Sequence, residues 1–189
     1  MSHPVQLDAG QLFSGKPSGT MILGYDSPSE YTPAIDPNYL FHESSRDVIV
    51  WFLMQNPEPL YICGPTSAGK SSLVRQIAAR LNYPVFEATG HDRLEFPDLV
   101  GHLSIQNGNM VFEDGPLTLA MKIGGVFLFN EADLCSPATL CRYWTDFWSH
   151  HGCLVWTGGL SLDFWTSDID NMPSLYMTCI TELSFGAVT

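Results

Sequence analysis

Basic side chains are scarce in this chain. Eight Lys and Arg stand against twenty Asp and Glu, a formal net charge of −12 over 189 residues. Binding to a phosphate backbone through counterion release needs clustered cations, so general nucleic-acid binding is excluded. Long apolar runs are also missing. The strongest, Ile49 to Met54, is far too short to span a bilayer, and the uncharged stretch from Phe147 to Ser161 carries two histidines. The start, Met1-Ser2-His3-Pro4, lacks the basic patch and apolar stretch of a signal peptide. The five cysteines are odd in number and contain no CxxC pair, which argues against a disulfide framework and for a reducing, cytoplasmic setting. With 45% hydrophobic and only 15% charged residues, the chain has ample apolar material for one buried core.

Three regions differ in character. Residues 1–40 hold five of the thirteen prolines and read as a mostly irregular lead-in. Residues 41–140 show the periodicities of an α/β unit. Ser44 or Ser45 can cap a helix running through Val48, Ile49, Phe52 and Leu53 to Asn56-Pro57. Leu60 to Cys63 reads as a buried strand, Ser71 to Leu81 as an amphipathic helix, and Pro84 to Ala88 as a second strand. Asn107-Gly108, between Leu103/Ile105 and Met110 to Phe112, is the signal of a type I′ hairpin. A further helix opens at Asp114-Gly115-Pro116 and ends at Gly124-Gly125, and Val126 to Phe129 is a fully apolar third strand. This order predicts an α/β fold with a parallel sheet. Residues 141–189 hold four of the five tryptophans and one basic residue, Arg142, and sustain neither period, so no fold is assigned to them.

Gly64-Pro65-Thr66-Ser67-Ala68-Gly69-Lys70-Ser71 fits GxxxxGK[ST], the Walker A pattern, at every defined position. Such a loop must curl so that successive N–H groups face phosphate oxygens, and the following helix adds its positive end. Lys70 can bridge the β- and γ-phosphates, and the Ser71 hydroxyl can ligate Mg²⁺. The candidate binding set for ATP therefore runs from Gly64 through Ser72. At the end of the third strand, Asn130 and Glu131 occupy the place of a Walker B Asp-Glu pair. Asn130 offers an amide oxygen toward a metal-bound water without the full charge, and Glu131 is the candidate general base or water-orienting group. Asp133 reads as a helix-capping or solvated residue.

With these motifs, residues from about 20 to 140 resemble the AAA+ ATPases, in the MoxR and cobaltochelatase small-subunit (CobS-like, dynein-related) branch. The resemblance rests on Gly64 to Ser72, on Thr89-Gly90-His91 through Asp98-Leu99-Val100-Gly101, on Phe112 to Leu117, and on Gly124-Gly125 followed by Asn130-Glu131-Ala132-Asp133. It implies a P-loop NTPase three-layer fold, ATP and Mg²⁺ as ligands, and hydrolysis of the β–γ phosphoanhydride. It also implies ring assembly and remodelling of a protein partner such as a chelatase or a von Willebrand-type protein. The hairpin at Asn107-Gly108 would match the family's pore-facing insertion. After Leu140 the likeness stops: neither a sensor strand nor an arginine finger is recognisable, so the isolated chain is expected to bind nucleotide, hydrolyse it slowly and form rings weakly or not at all.

Two other functions compete with this reading. A P-loop small-molecule kinase is disfavoured, because about sixty residues precede the loop and a basic lid is missing. A truncated nucleotide-binding module without turnover would show binding but no hydrolysis. Other signals read as structure. Cys135, Cys141, His150, His151 and Cys153 are metal-ligand types at irregular spacing, and coincidence explains them better than zinc. His91 and His102 read as surface or hydrogen-bonded histidines. Trp144, Phe147 and Trp148 read as core rather than a partner patch. Tyr39 and Phe41 suit either an adenine contact or packing under the first helix.

Overall fold

In the computed structural model, residues 3–53, 60–65, 67–135, 153–158 and 178–180 are described. The chain opens with β1 (Pro4–Asp8), α1 (Ala9–Ser14) and β2 (Met21–Tyr25), then α2 (Arg46–Leu53), β3 (Leu60–Cys63) and α3 (Lys70–Arg80). There follow β4 (Val85–Thr89), α4 (Phe96–Val100), β5 (Gly101–Gln106), β6 (Asn109–Asp114), α5 (Pro116–Ile123), β7 (Val126–Asn130), β8 (Cys153–Gly158) and β9 (Thr178–Ile180). The central sheet has the order β4-β7-β8-β3-β9, and every pairing in it is parallel.

A parallel sheet covered on both faces needs strands that are apolar on both faces. The alternation in β3 and β7 shows how this is met. Leu60, Ile62, Val126 and Leu128 point into one cluster with Val48, Trp51 and Phe52 of α2 and Leu73, Val74 and Ile77 of α3. Tyr61, Phe127 and Phe129 point the other way, into a cluster with Leu94, Leu99 of α4 and Leu117 and Ala120 of α5. The result is the expected three-layer α/β fold, with helices on either side of a buried sheet. Each fully buried Leu, Ile or Phe in it contributes about 1.5–3 kcal/mol. The hairpin β5–β6 forms with Asn107 and Gly108 both at positive φ, 51° and 81°, as a type I′ turn demands. Pro116 opens α5 and Gly124 closes it in the left-handed conformation.

The structure departs from the sequence pattern in three places. His42 caps a 3₁₀ turn, Glu43–Ser45, that precedes α2, its Nδ1 accepting from Ser44 N at 3.3 Å, and both serines lie inside that turn. The lead-in is ordered by local hydrogen bonding and then tied to the core. Tyr25 N donates to Leu81 O at 2.9 Å, and Asn82 Nδ2 donates to Tyr25 O at 2.8 Å. The buried Gln76 amide accepts from Asp36 N at 3.0 Å and donates to Ala34 O at 3.1 Å. Residues 153–158 and 178–180, which carry no clear periodicity, supply two strands of the central sheet. The expected continuation of the α2 helix past Leu53, and Arg142, Trp144, Phe147 and Trp148, lie outside the described residues.

Asp8 holds the lead-in together. Its carboxylate accepts from Gln11 N at 2.9 Å, Ser18 N at 3.0 Å and Gly19 N at 2.8 Å, which lowers its pKa from 3.8 to about 2. A depressed carboxylate pKa stabilises the folded state above the unfolded value, and that contribution disappears as pH falls through the folded value. Asp8→Asn is therefore expected to lower the thermal midpoint at neutral pH. The gap from the wild type should narrow between about pH 4 and pH 2. Paired melting curves across that range check it; a gap independent of pH would contradict the role of the charge.

Candidate functional site

The carboxyl ends of β3 and β7 open on the same edge of the sheet, where ligands of open α/β folds bind. From β3 the chain turns through the loop at Gly64, Pro65, Ser67, Ala68 and Gly69 into α3; Thr66 lies outside the described residues. Gly69, directly before the helix, has φ 76°, a left-handed conformation that strains residues with a Cβ. A Cβ at Gly69 would meet nothing within 4 Å, so the backbone angle rather than space calls for glycine. Ser67 also has positive φ, 67°, and Ala68 N closes a turn to Pro65 O at 3.2 Å.

Lys70 is 7% exposed. Its Nζ donates to Gly64 O at 2.8 Å and to Pro65 O at 3.0 Å. Ion pairs among the described residues involve Arg75, His102 and Lys122, not Lys70. An ammonium drawn out of water and met only by carbonyls fits a site built for an anion. Ser71, half-buried at the first turn of α3, donates its hydroxyl to Asn130 Oδ1 at 2.5 Å. Ser72 is exposed on the same turn. Ser71 and Asn130 thus meet although 59 positions separate them in the chain. The two neutral oxygens of Ser71 and Asn130 suit a hard cation such as Mg²⁺.

Glu131 follows Asn130 at φ 51°, ψ 43°, left-handed for a residue with a long side chain. No hydrogen bond or ion pair involves its carboxylate among the described residues. Gly90 is pressed against this bend. Its N–H donates to Asn130 O at 2.7 Å, and a Cβ there would fall 2.3 Å from Glu131 O and 2.8 Å from Cys135 Sγ. Asp133 is neither a cap nor fully solvated, because its Oδ1 is buried with no hydrogen-bond partner among the described residues.

Sequence reasoning missed a pair beside Asn130. Arg75 on α3 donates to both oxygens of Glu87 on β4, at 2.6 and 2.5 Å, and Asn130 Nδ2 donates to Glu87 Oε2 at 3.3 Å. The available signals were an acidic residue inside an otherwise apolar strand and an arginine one helical turn past Ser71. Of the remaining candidates, Phe41 stacks edge-on with Phe13 and Tyr39, and its ring lies under the Arg80 guanidinium at 4.7 Å. Arg80 is ten residues along α3 from Lys70, about 15 Å at helical rise. These aromatics pack the far end of that helix. His102 faces Glu113 across the hairpin at 3.9 Å and is exposed, and no metal-ligating cluster occurs among the described residues.

Residues 59–143 match the AAA domain (dynein-related subfamily). Over those residues the chain is similar to that family. Protein NorQ of Paracoccus denitrificans is 32% identical over 98 residues, covering 52% of this chain and 36% of NorQ. The denitrification regulatory protein NirQ of Stutzerimonas stutzeri is 40% identical over 77 residues, 41% of this chain and 28% of NirQ. The aerobic cobaltochelatase subunit CobS of a Sinorhizobium species is 31% identical over 120 residues, 61% of this chain and 36% of CobS. The chain therefore spans about a third of the length of these relatives. Among the described residues, no helix of the AAA domain or its flanks is long and apolar enough to cross a membrane.

The contact at Gly90 generates an expected outcome. Gly90→Ala has to push the Glu131 backbone or the Cys135 side chain aside, an overpacking that costs about 1–3 kcal/mol. Urea unfolding should show the loss as a lowered midpoint with an unchanged slope. An unaltered midpoint would mean that the bend at Glu131 yields without strain.

Proposed function

We propose that this AAA domain binds Mg²⁺·ATP and hydrolyses it to remodel a protein partner in the cytoplasm. The observation that carries the reading is the buried Lys70 ammonium, held by loop carbonyls at a strand–helix junction and ion-paired with no carboxylate among the described residues. An ATP phosphate tail supplies the missing negative charge, and Lys70 then moves from Gly64 O and Pro65 O to phosphate oxygens. The N–H groups of the loop from Gly64 to Ser72 cradle the phosphates. Ser71 and Asn130 would hold Mg²⁺, which when bound offsets charge on the β- and γ-phosphates. Glu131, bent out of line with Asn130, orients a water for in-line attack on the γ-phosphoryl group and polarises its O–H bond.

The partner is inferred from kinship. One relative is named as a cobaltochelatase subunit and another as a regulatory protein of denitrification, which supports a partner that is itself a protein. A chelatase or von Willebrand-type protein, engaged by a homo-oligomeric ring, is the reading extended from them. Nucleotide binding without turnover is a second reading. The amide at Asn130, where a carboxylate is usual, favours it.

Lys70→Ala is expected to weaken ATP binding at least tenfold, since no other lysine is near enough to replace its charge. Titration with a fluorescent ATP analogue checks this, and unchanged affinity would remove the loop from the nucleotide site. Glu131→Gln should keep nucleotide affinity and lose whatever phosphate release the wild type shows, because a carboxamide cannot take up a proton from water. Equal rates in a phosphate-release assay would deny Glu131 its role. A wild type that binds ATP but releases no phosphate would select the second reading.

A further inference from the structure

The Asn130 amide has one accepting and one donating end, and its neighbours decide which end faces where. Glu87 settles the matter. Both its oxygens accept from the Arg75 guanidinium, at 2.6 and 2.5 Å, so it meets Asn130 as an acceptor. Its Oε2 lies 3.3 Å from Asn130 Nδ2, so the amide N–H₂ faces β4 and Oδ1 faces the Ser71 hydroxyl. We propose that Glu87 is a positioning residue of the nucleotide site. It orients Asn130 and holds, one strand away, the carboxylate charge that position 130 lacks. The inference rests on the Mg²⁺·ATP reading of that site.

The pairing explains the residue type at position 130. Aspartate there would set a second carboxylate against Glu87 across the same gap, and the Nε–Nη2 side of Arg75 is already engaged by Glu87. Asparagine removes the repulsion and turns the contact into a hydrogen bond. Glutamine at position 87 would accept from Arg75 through its oxygen and offer its N–H₂ to Asn130. The Asn130 amide would then turn over and present N–H₂ to the metal side.

Affinity for a fluorescent ATP analogue, measured with Mg²⁺ and with EDTA, tests the proposal without relying on turnover. Glu87→Gln should lose on the order of tenfold or more of the Mg²⁺-dependent tightening, as is usual when a residue that orients a metal ligand is changed. Its affinity in EDTA should equal that of the wild type, because Lys70 and the loop are untouched. Asn130→Asp, which leaves Glu87 in place, should also bind the Mg²⁺ complex more weakly than the wild type, although a lone carboxylate is the better magnesium ligand. The double variant Glu87→Gln/Asn130→Asp should recover the tightening. Full tightening in Glu87→Gln, a tighter Asn130→Asp, or a double variant no better than Asn130→Asp would each overturn the proposal. Loss of affinity in EDTA as well would reduce Glu87 to a structural role and overturn it too. A wild type that binds the analogue under neither condition refutes the nucleotide site itself, which separates that failure from the failure of the Glu87 assignment.

Discussion

Lys70 is 7% exposed, and its ammonium is satisfied by two carbonyl oxygens of the loop it follows rather than by a carboxylate. Removing a charge from water costs several kcal/mol unless it is well paired, so the surroundings have to be arranged for this group. The arrangement begins with β3, which is buried on both faces and delivers the loop to the edge of the sheet. It continues with α3, whose stripe of Leu73, Val74 and Ile77 fixes the helix over that sheet. The position of the ammonium is therefore set by apolar packing on the flanking strand and helix. The loop itself contributes conformational demands, met by Gly69 and tolerated at Ser67.

The same packing determines what lies opposite. Strand β7 is buried from Val126 to Phe129 and alternates between the two hydrophobic clusters. Its last residue, Asn130, emerges beside Ser71 because β8 alone separates β7 from β3 in the sheet. A single-residue slip of β7 would exchange its two faces and carry Asn130 away from the loop. Register in the core and geometry in the site are thus one constraint. The ion pair of Arg75 with Glu87 adds little stability, with side chains 43% and 31% exposed, and its importance lies in orientation.

Much of this was legible in the residues. The loop from Gly64 to Ser71, the helices at α3 and α5, the type I′ hairpin and the strands β3 and β7 follow from local period and turn chemistry. What escaped was of three kinds. In the lead-in, β1, α1 and β2 are ordered by Asp8 accepting N–H groups from Gln11, Ser18 and Gly19, by a backbone bond to Leu81 O, and by the Asn82 side chain donating to Tyr25 O. Such bonds leave no hydrophobic period to read. In the site, the contacts joining Ser71, Asn130, Glu87 and Arg75 cross three elements, and only the sheet order brings them together. Strand β9 has only three residues, and the sequence around it and β8 sustains no period.

The two adjacent residues at the end of β7 have to face different ways, and the backbone shows how. Asn130 continues the strand and keeps its amide toward Ser71, so a regular extension would carry the next side chain to the opposite face of the sheet, against the helices. Glu131 instead adopts φ 51° and ψ 43°, which turns the chain at once into the 3₁₀ turn of Ala132 to Leu134. That conformation costs a residue with a Cβ about 1–2 kcal/mol, and something has to hold it. The hold comes from the buried Ala132 and from Gly90, whose N–H binds Asn130 O and whose missing side chain leaves room for the carbonyl of Glu131. Glycine at position 90 is therefore as much a part of the strand-end geometry as the two polar residues it supports, although it offers no chemical group beyond its backbone.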